Sequence, residues 1–491
     1  MIRTRRAGAA GAAGLAVLVG LVGPAAASAG RPALQVPGTV PAVGDARLPL
    51  AGPVLAPLLA TDPAVDPDPD AAADPDAGVV ATSPGAPLDR ASVAAALRPL
   101  LSGGALGPGR TPARVVDVAS GEVLYAAAGS PTVPASTMKL VTATSVLDSL
   151  GADHRLRTRV VLVEGGRVPR LVVVGAGDPS LASTPGAVGS AGSRFTPASM
   201  EQLAARAARA LSLRGEQRVR LGYDGSLFTG SAIHPTWASG FPALGIIAPV
   251  SALQVDEGRS TPTSGTRVPD PALRAAQVLA EQLAEAGVAV RGEPRPWQVG
   301  DDDPTLAFVD SPPLGVLVER MLAASDNDFA EALGRIGAAA SGQPASFTGV
   351  ARRARALLRE LGVTRAGARF ADASGLSRRN ALAPATLTDL LRATVDGFGP
   401  IHSGLPVAGA TGSLAARFGA PDQADARGVV RAKTGTLTSV VGLAGYASRP
   451  DGRLLAFAFL DDSAPGPLSS RAALDTAAAA LVACSCAAGG S

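Results

Sequence analysis

The chain is short of the residues that mark metal centres, disulfide scaffolds and nucleic-acid surfaces. It holds two cysteines and three histidines in 491 residues. His154, His234 and His402 are scattered, with no H-E-x-x-H run and no Cys/His cluster, so no metal or other cofactor is expected. Cys484 and Cys486 lie two positions apart near the end. They either form a strained local bridge or stay free, and in neither case do they staple the fold. Aromatic residues make up 3%, and Arg is interspersed with Asp and Glu around a net charge of +3. A basic stripe with stacking rings is missing, which argues against nucleic acid as a partner. The apolar stretch at 7–22 falls short of the ~20 residues of a spanning helix.

Two further scarcities are informative. Of the 44 basic residues only Lys139 and Lys433 are lysine, and only Asn327 and Asn380 are asparagine. A chain that uses Arg wherever plain positive charge suffices has kept Lys at two places. Lys139 belongs to Pro134-Ala-Ser-Thr-Met-Lys-Leu140, three residues after Ser136. Apolar residues at helical spacing follow over 138–150, so both side chains fall on one face of a helix start. A serine needs a base to become a nucleophile. A lysine can be that base if burial or nearby positive charge lowers its pKa, whereas arginine stays charged. Asn327 closes Ser325-Asp326-Asn327, and Lys433 opens Lys433-Thr434-Gly435-Thr436. The chain therefore reads S-x-x-K, S-x-N and K-T-G in that order.

Along the chain, residues 1–30 read as a secretory signal. Arg3, Arg5 and Arg6 form its basic end, and Ala27-Ser28-Ala29 offers a cleavage site. An uncleaved anchor is the alternative, and either way the rest is exported to an extracytoplasmic space. Residues 31–87, rich in Pro, Ala and Asp, read as an extended linker. The remainder is long enough for two or three domains. A helix is expected at 88–98, and strands at 113–119 and 123–128 form a hairpin. Strands at 429–437, 440–448 and 454–461 precede an Ala-rich helix at 469–484. Two early and three late strands with helices between predict an α/β (α+β) fold, one antiparallel sheet flanked by helices, with Lys433 on a strand beside the Ser136 helix. The stretch between Ser136 and Ser325 is longer than a helical lobe needs. It carries strand signals at 156–163, 171–175, 218–223 and 288–291, and amphipathic helices at 200–213 and 273–286. Residues 152–300 are expected to form an inserted domain, with 88–151 and 301–491 making the catalytic one.

The ordered trio is that of penicillin-binding proteins and class A β-lactamases. With the insertion between its first two motifs, the chain resembles the D-alanyl-D-alanine carboxypeptidase/endopeptidase family, the class C low-molecular-weight penicillin-binding proteins. Gly177-Asp-Pro-Ser-Leu181, His234-Pro-Thr-Trp237, Asp372-Ala-Ser-Gly-Leu-Ser377 with Asn380, and Thr411-Gly-Ser-Leu414 fit the same style. The resemblance covers most of 88–484 and implies a β-lactamase/transpeptidase-like catalytic domain. It implies that Ser136 attacks the peptide bond between two D-alanines of peptidoglycan stem peptides, with Lys139 as base. Ser325 would relay a proton to the leaving amine, and Asn327 would hold Lys139 and the substrate amide. Lys433 and Thr434 would bind the terminal carboxylate, and the charge of Lys433 would help depress the Lys139 pKa. Gly435 would let substrate approach the strand, and the N–H groups of Ser136 and Thr436 would form the oxyanion hole. β-Lactams would be covalent inhibitors. Asp178, Asp372 and Ser374 read as turn or strand-end residues, and Trp237 as packing within the insertion.

Two rival readings differ in class. A β-lactamase would carry a deacylating glutamate, and Glu331 and Glu360 lack the expected Glu-x-x-Leu-Asn context. A non-catalytic cell-wall binding protein would carry a broken motif, and all three are intact. The balance of carboxypeptidase and endopeptidase action is not written in these motifs.

Overall fold

The computed structural model describes residues 87–486, apart from 103, 109–110, 166, 188–194, 301–302 and 364–365. The expected signal, and the linker but for its last residue, lie outside them. In chain order the strands are β1 (Ala113–Asp117), β2 (Val123–Ala127), β3 (Arg157–Val163), β4 (Arg170–Val174), β5 (Arg218–Asp224), β6 (Ala289–Val290), β7 (Arg295–Pro296), β8 (Thr305–Asp310), β9 (Val430–Leu437), β10 (Val440–Ser448) and β11 (Leu454–Asp461). The first two and last three form one five-stranded sheet in the order β2-β1-β11-β10-β9, antiparallel throughout, as the sequence predicts.

Strand β11 shows why that sheet is covered on both faces. Successive side chains point to opposite sides of a strand. Leu455, Phe457 and Phe459 face the cluster built with the Arg90–Leu97 and Pro467–Ala483 helices. Ala456, Ala458 and Leu460 face the cluster that holds the Lys139–Leu150 helix and the helices Leu314–Ala324, Asn327–Ala340 and Phe347–Glu360. Small residues on this second face bring the Ser136 turn close: a Cβ on Gly442 would meet Thr137 Cγ2 at 3.4 Å. Cys484 and Cys486 are joined as a disulfide after the closing helix.

The second sheet runs β6-β5-β4-β3-β8, with β7 also paired to β5. Its inner face packs on the Met200–Leu213 and Pro271–Glu285 helices through Val160, Leu162, Leu171, Val173, Leu203 and Leu279. Strand β8 lies past the expected boundary at Gly300, yet it pairs in antiparallel register with β3. We propose that the inserted unit reaches Asp310. Thr305–Asp310 is a half-exposed strand with a bulged register, so it carries little apolar alternation.

The long stretch after β5 belongs to neither sheet. Trp237 and Ile247 pack with Leu376, away from the inner face of the second sheet. The 372–377 loop in turn presses on the residue before Ser136. Gly375 has φ +87°, and a Cβ there would lie 1.9 Å from the Ala135 carbonyl oxygen. Gly375→Ala is therefore expected to lower stability by more than about 1 kcal/mol, from the φ and the clash together. Chemical denaturation checks this; an unchanged midpoint would show that the loop does not bear on the Ser136 turn.

Candidate active site

A short 3-10 turn, Ala135–Met138, leads into the Lys139–Leu150 helix. Ala135 takes a left-handed φ of 46°, costly for a residue with a Cβ. Ser136 and Lys139 then share one face, with Lys139 Nζ donating to Ser136 Oγ at 3.1 Å. The same ammonium nitrogen donates to Asn327 Oδ1 at 2.8 Å and to the Ser374 carbonyl at 2.7 Å. Three acceptors surround it, and the residue has no exposed surface.

The S-x-N motif is the corner between two helices. Ser325 ends the Leu314–Ala324 helix with φ 58°, and Asn327 begins the next, capped by Asp326 on the Phe329 N–H. Chain lying between the first two motifs in sequence grips this corner from behind. Asn327 Nδ2 donates to the Ile246 carbonyl at 3.0 Å, and Asp328 accepts from the Ala248 N–H at 2.7 Å and from Arg267 at 2.6 Å. Glu257, Asp326 and Asp328 come within 4.8 Å of one another. Arg267 bonds to Asp328 and Arg259 to Glu257, so guanidinium groups supply the cations in this cluster.

Lys433 lies on β9, wholly buried, its Nζ donating to the Thr434 carbonyl at 3.0 Å. Thr434 Oγ1 meets Ser413 Oγ at 2.8 Å, which gives the Thr411–Leu414 stretch a place at the site. In front of Gly435, a Cβ would meet the Pro134 carbonyl oxygen at 2.8 Å and Ala135 Cβ at 3.2 Å. Glycine there admits the serine's own turn, where the resemblance implied room for substrate.

Electrostatics sharpen the roles. The Lys139 pKa falls to about 8, with burial as the leading cause. Asp326, Asp372, Glu331 and Asp328 pull it back upward. Burial, rather than the charge of Lys433, is what lowers it. The repulsion between the two ammonium groups is felt at Lys433, whose pKa is pushed well down by burial first and Lys139 second.

A cleft of about 590 Å³ opens over Ser136, Ser325, Asn327 and Thr436. Its walls include Thr236, Phe241 and Ile246 from the chain between the first two motifs, and Leu376 and Arg378. Lys139, Lys433, Thr434 and Gly435 stand outside this lining. A larger cleft of about 970 Å³, between Asp117 and Arg453, contains none of the motif residues.

Several contacts escape sequence reasoning. Ser374 contributes a backbone carbonyl, which any residue carries. Asp372 does form a turn, accepting from the Gly375 and Ser377 N–H groups. It also accepts from the Trp237 indole at 2.8 Å, so Trp237 packs against the 372–377 loop. Asp178 is a turn residue, bonded to Ser180. Glu331, one helical turn after Asn327, accepts from the Ala373 and Ser374 N–H groups at 3.0 and 2.8 Å. It thereby fixes the loop whose carbonyl holds Lys139. Its i, i+4 spacing from Asn327 is the signal that could have revealed it. Burial first, then Asp372, raises the Glu331 pKa to about 8.

A serine held by a buried lysine, with the three motifs converging, narrows the class to penicillin-binding serine hydrolases. Comparison with known proteins agrees. The profile of the D-Ala-D-Ala carboxypeptidase 3 (S13) family matches residues 93–265 and 260–481. The chain belongs to this family and is an enzyme of that kind. It is 36% identical over 391 residues to carboxypeptidase Rv3627c of Mycobacterium tuberculosis, covering 77% of this chain and 81% of that protein. It is 35% identical over 428 residues to carboxypeptidase DacB of Mycolicibacterium smegmatis, covering 85% and 89%. Among solved structures, penicillin binding protein 4 of Haemophilus influenzae shares the fold with a TM-score of 0.64 at 21% identity, over 80% of this chain and 98% of that one.

Lys139→Arg keeps the charge but not the base. Acylation of the enzyme by a fluorescent penicillin is expected to drop roughly a hundredfold or more. Wild-type rates in the variant would remove Lys139 as the base.

Proposed function

We propose that Ser136 is the nucleophile of a D-Ala-D-Ala carboxypeptidase acting on peptidoglycan stem peptides. The observation that carries this reading is the 3.1 Å bond between Ser136 Oγ and a lysine with no exposed surface. Neutral Lys139 takes the hydroxyl proton, and Ser136 attacks the carbonyl between the two D-alanines. The N–H groups of Ser136 and Thr436 receive the developing oxyanion. The proton that Lys139 has taken is relayed through the Ser325 hydroxyl to the amine of the departing D-alanine. Asn327 holds Lys139 and meets the peptide amide. The hydroxyl groups of Thr434 and Thr436 hold the terminal carboxylate, and Lys433 positions Thr434 through its bond to the Thr434 carbonyl. The burial of Lys433 suits that role better than direct contact. Water then cleaves the acyl-enzyme.

The same chemistry makes Ser136 a target of β-lactams, whose opened ring stays tethered in the cleft. Glu331 is committed to two backbone N–H groups and stands outside the cleft lining, which disfavours a glutamate-assisted β-lactamase. The apparent signal at 1–30 supports action outside the cytoplasm. No helix among the described residues is long and apolar enough to cross a membrane.

Incubation with a D-Ala-D-Ala pentapeptide and with a cross-linked peptide dimer tests the reading. D-Alanine release from the pentapeptide supports carboxypeptidase action, and cleavage of the dimer adds endopeptidase action. Penicillin should leave a lasting adduct on the Ser136 peptide by mass spectrometry, absent in Ser136→Ala. Rapid loss of penicillin with no adduct and no D-alanine release would point to a β-lactamase.

The pH dependence has a definite sign. Lys139 accepts a proton only when neutral, and its folded pKa of about 8 lies below the ordinary 10.5. Acylation should therefore rise with pH through about 8 and then level off. A rise that continues to 10.5 would contradict the lowered pKa.

A further inference from the structure

The outer face of the second sheet carries an arginine groove that the catalytic chemistry does not use. Arg170 on β4 and Arg220 on β5 are direct neighbours in a parallel register. Arg291 follows β6 and is held beside β5 by its N–H bond to the Val219 carbonyl at 2.8 Å. Arg295 on β7 pairs with Gly222. The four side chains line one cleft of about 350 Å³, with Leu221, Gly292 and a single acid, Glu293. Among the described residues, none of the four forms an ion pair or a side-chain hydrogen bond. Elsewhere the protein pairs its arginines freely, as in Arg157 with Asp310, Arg417 with Asp475 and Arg453 with Asp117.

Like charges side by side on a sheet are destabilising. The protein nevertheless builds a support for them. A Cβ on Gly222 would meet Trp297 Cβ at 2.9 Å and Arg170 Cδ at 3.5 Å. The missing side chain lets Trp297 lie over the sheet, and the Arg170 guanidinium stacks 3.7 Å from the indole ring centre. One arginine of the groove is thus held in place before any ligand arrives.

We propose that this groove binds the phosphate groups of an anionic, phosphate-bearing polymer. Guanidinium forks match phosphate oxygens two at a time. A cleft of this size admits one or two oxyanions of a chain rather than a folded partner. It is concave, whereas a bilayer offers a flat surface. Several guanidiniums in a row favour phosphates repeated along one molecule over a single free ion. The groove lies apart from the Ser136 cleft, so the proposal does not rest on the catalytic reading. Its effect would be to tether the enzyme to a charged polymer near its substrate.

The test is isothermal titration of the full chain with long-chain inorganic polyphosphate, orthophosphate and phosphatidylglycerol vesicles. Polyphosphate should bind, with affinity falling as NaCl rises. The double variant Arg220→Gln, Arg291→Gln should weaken that binding at least tenfold, with D-alanine release from a pentapeptide unchanged. A control pair of equal charge change on exposed residues, Arg209→Gln with Arg352→Gln, should leave binding within about twofold. Equal weakening by both pairs would overturn the groove as the site. Orthophosphate binding as tightly as the polymer, or vesicles binding while polyphosphate does not, would overturn the polymer as its ligand.

Discussion

The structure depends on a lysine that is buried without a neutralising carboxylate in hydrogen-bond contact. Lys139 Nζ meets a hydroxyl, an amide oxygen and a backbone carbonyl. Each is a dipole, and none carries the full charge that would hold the proton firmly. The acids that act on it stand one step further off. Asp372 accepts from the Gly375 N–H of the peptide whose carbonyl Lys139 uses, Glu331 from the Ser374 N–H of the peptide before it, and Asp326 caps the helix that Asn327 begins. They temper the effect of burial without cancelling it, which leaves the pKa at about 8. A base poised near neutral pH is what activation of a serine requires.

The rest of the molecule can be understood as support for that arrangement. The five-stranded sheet presents small residues to the Ser136 turn, so β9 and β10 come close behind it. The stretch after β5 reaches the S-x-N corner through Ile246, Ala248 and Arg267, and reaches the 372–377 loop through Trp237. Chain far from the serine in sequence thus determines where Asn327 and the Ser374 carbonyl stand. It also supplies Thr236, Phe241 and Ile246 to the cleft wall. The part of the protein that looks like an appendage in the sequence shares in shaping the site.

How much of this was legible depended on what kind of group did the work. Lys139, Lys433 and Asn327 stood out because the composition has almost no other lysine or asparagine. The five strands were readable because β10 and β11 are long apolar runs bounded by turns. The Ser374 carbonyl was invisible, since a backbone group leaves no mark on residue type. Glu331 was set aside for lacking a water-activating context, yet its work is to hold a loop. Trp237 was read as packing, which it is, but its partner Asp372 lies across the chain. Strands β7 and β8 were missed because one is two residues long and the other is half exposed. The readings of Lys433 and Gly435 shifted for a shared reason: motif position says that a residue is needed, while burial says what it can touch.

The scarcity that exposed the site also makes it measurable. With two lysines in the chain, lysine labelled with 13C at the ε carbon gives two side-chain resonances in NMR. Lys139→Met assigns them by removing one. The account predicts that the Lys139 resonance titrates with a midpoint near 8, set by burial. A midpoint at or above the ordinary 10.5 would mean that the lysine stays charged at working pH, and would contradict its role as the base that activates Ser136.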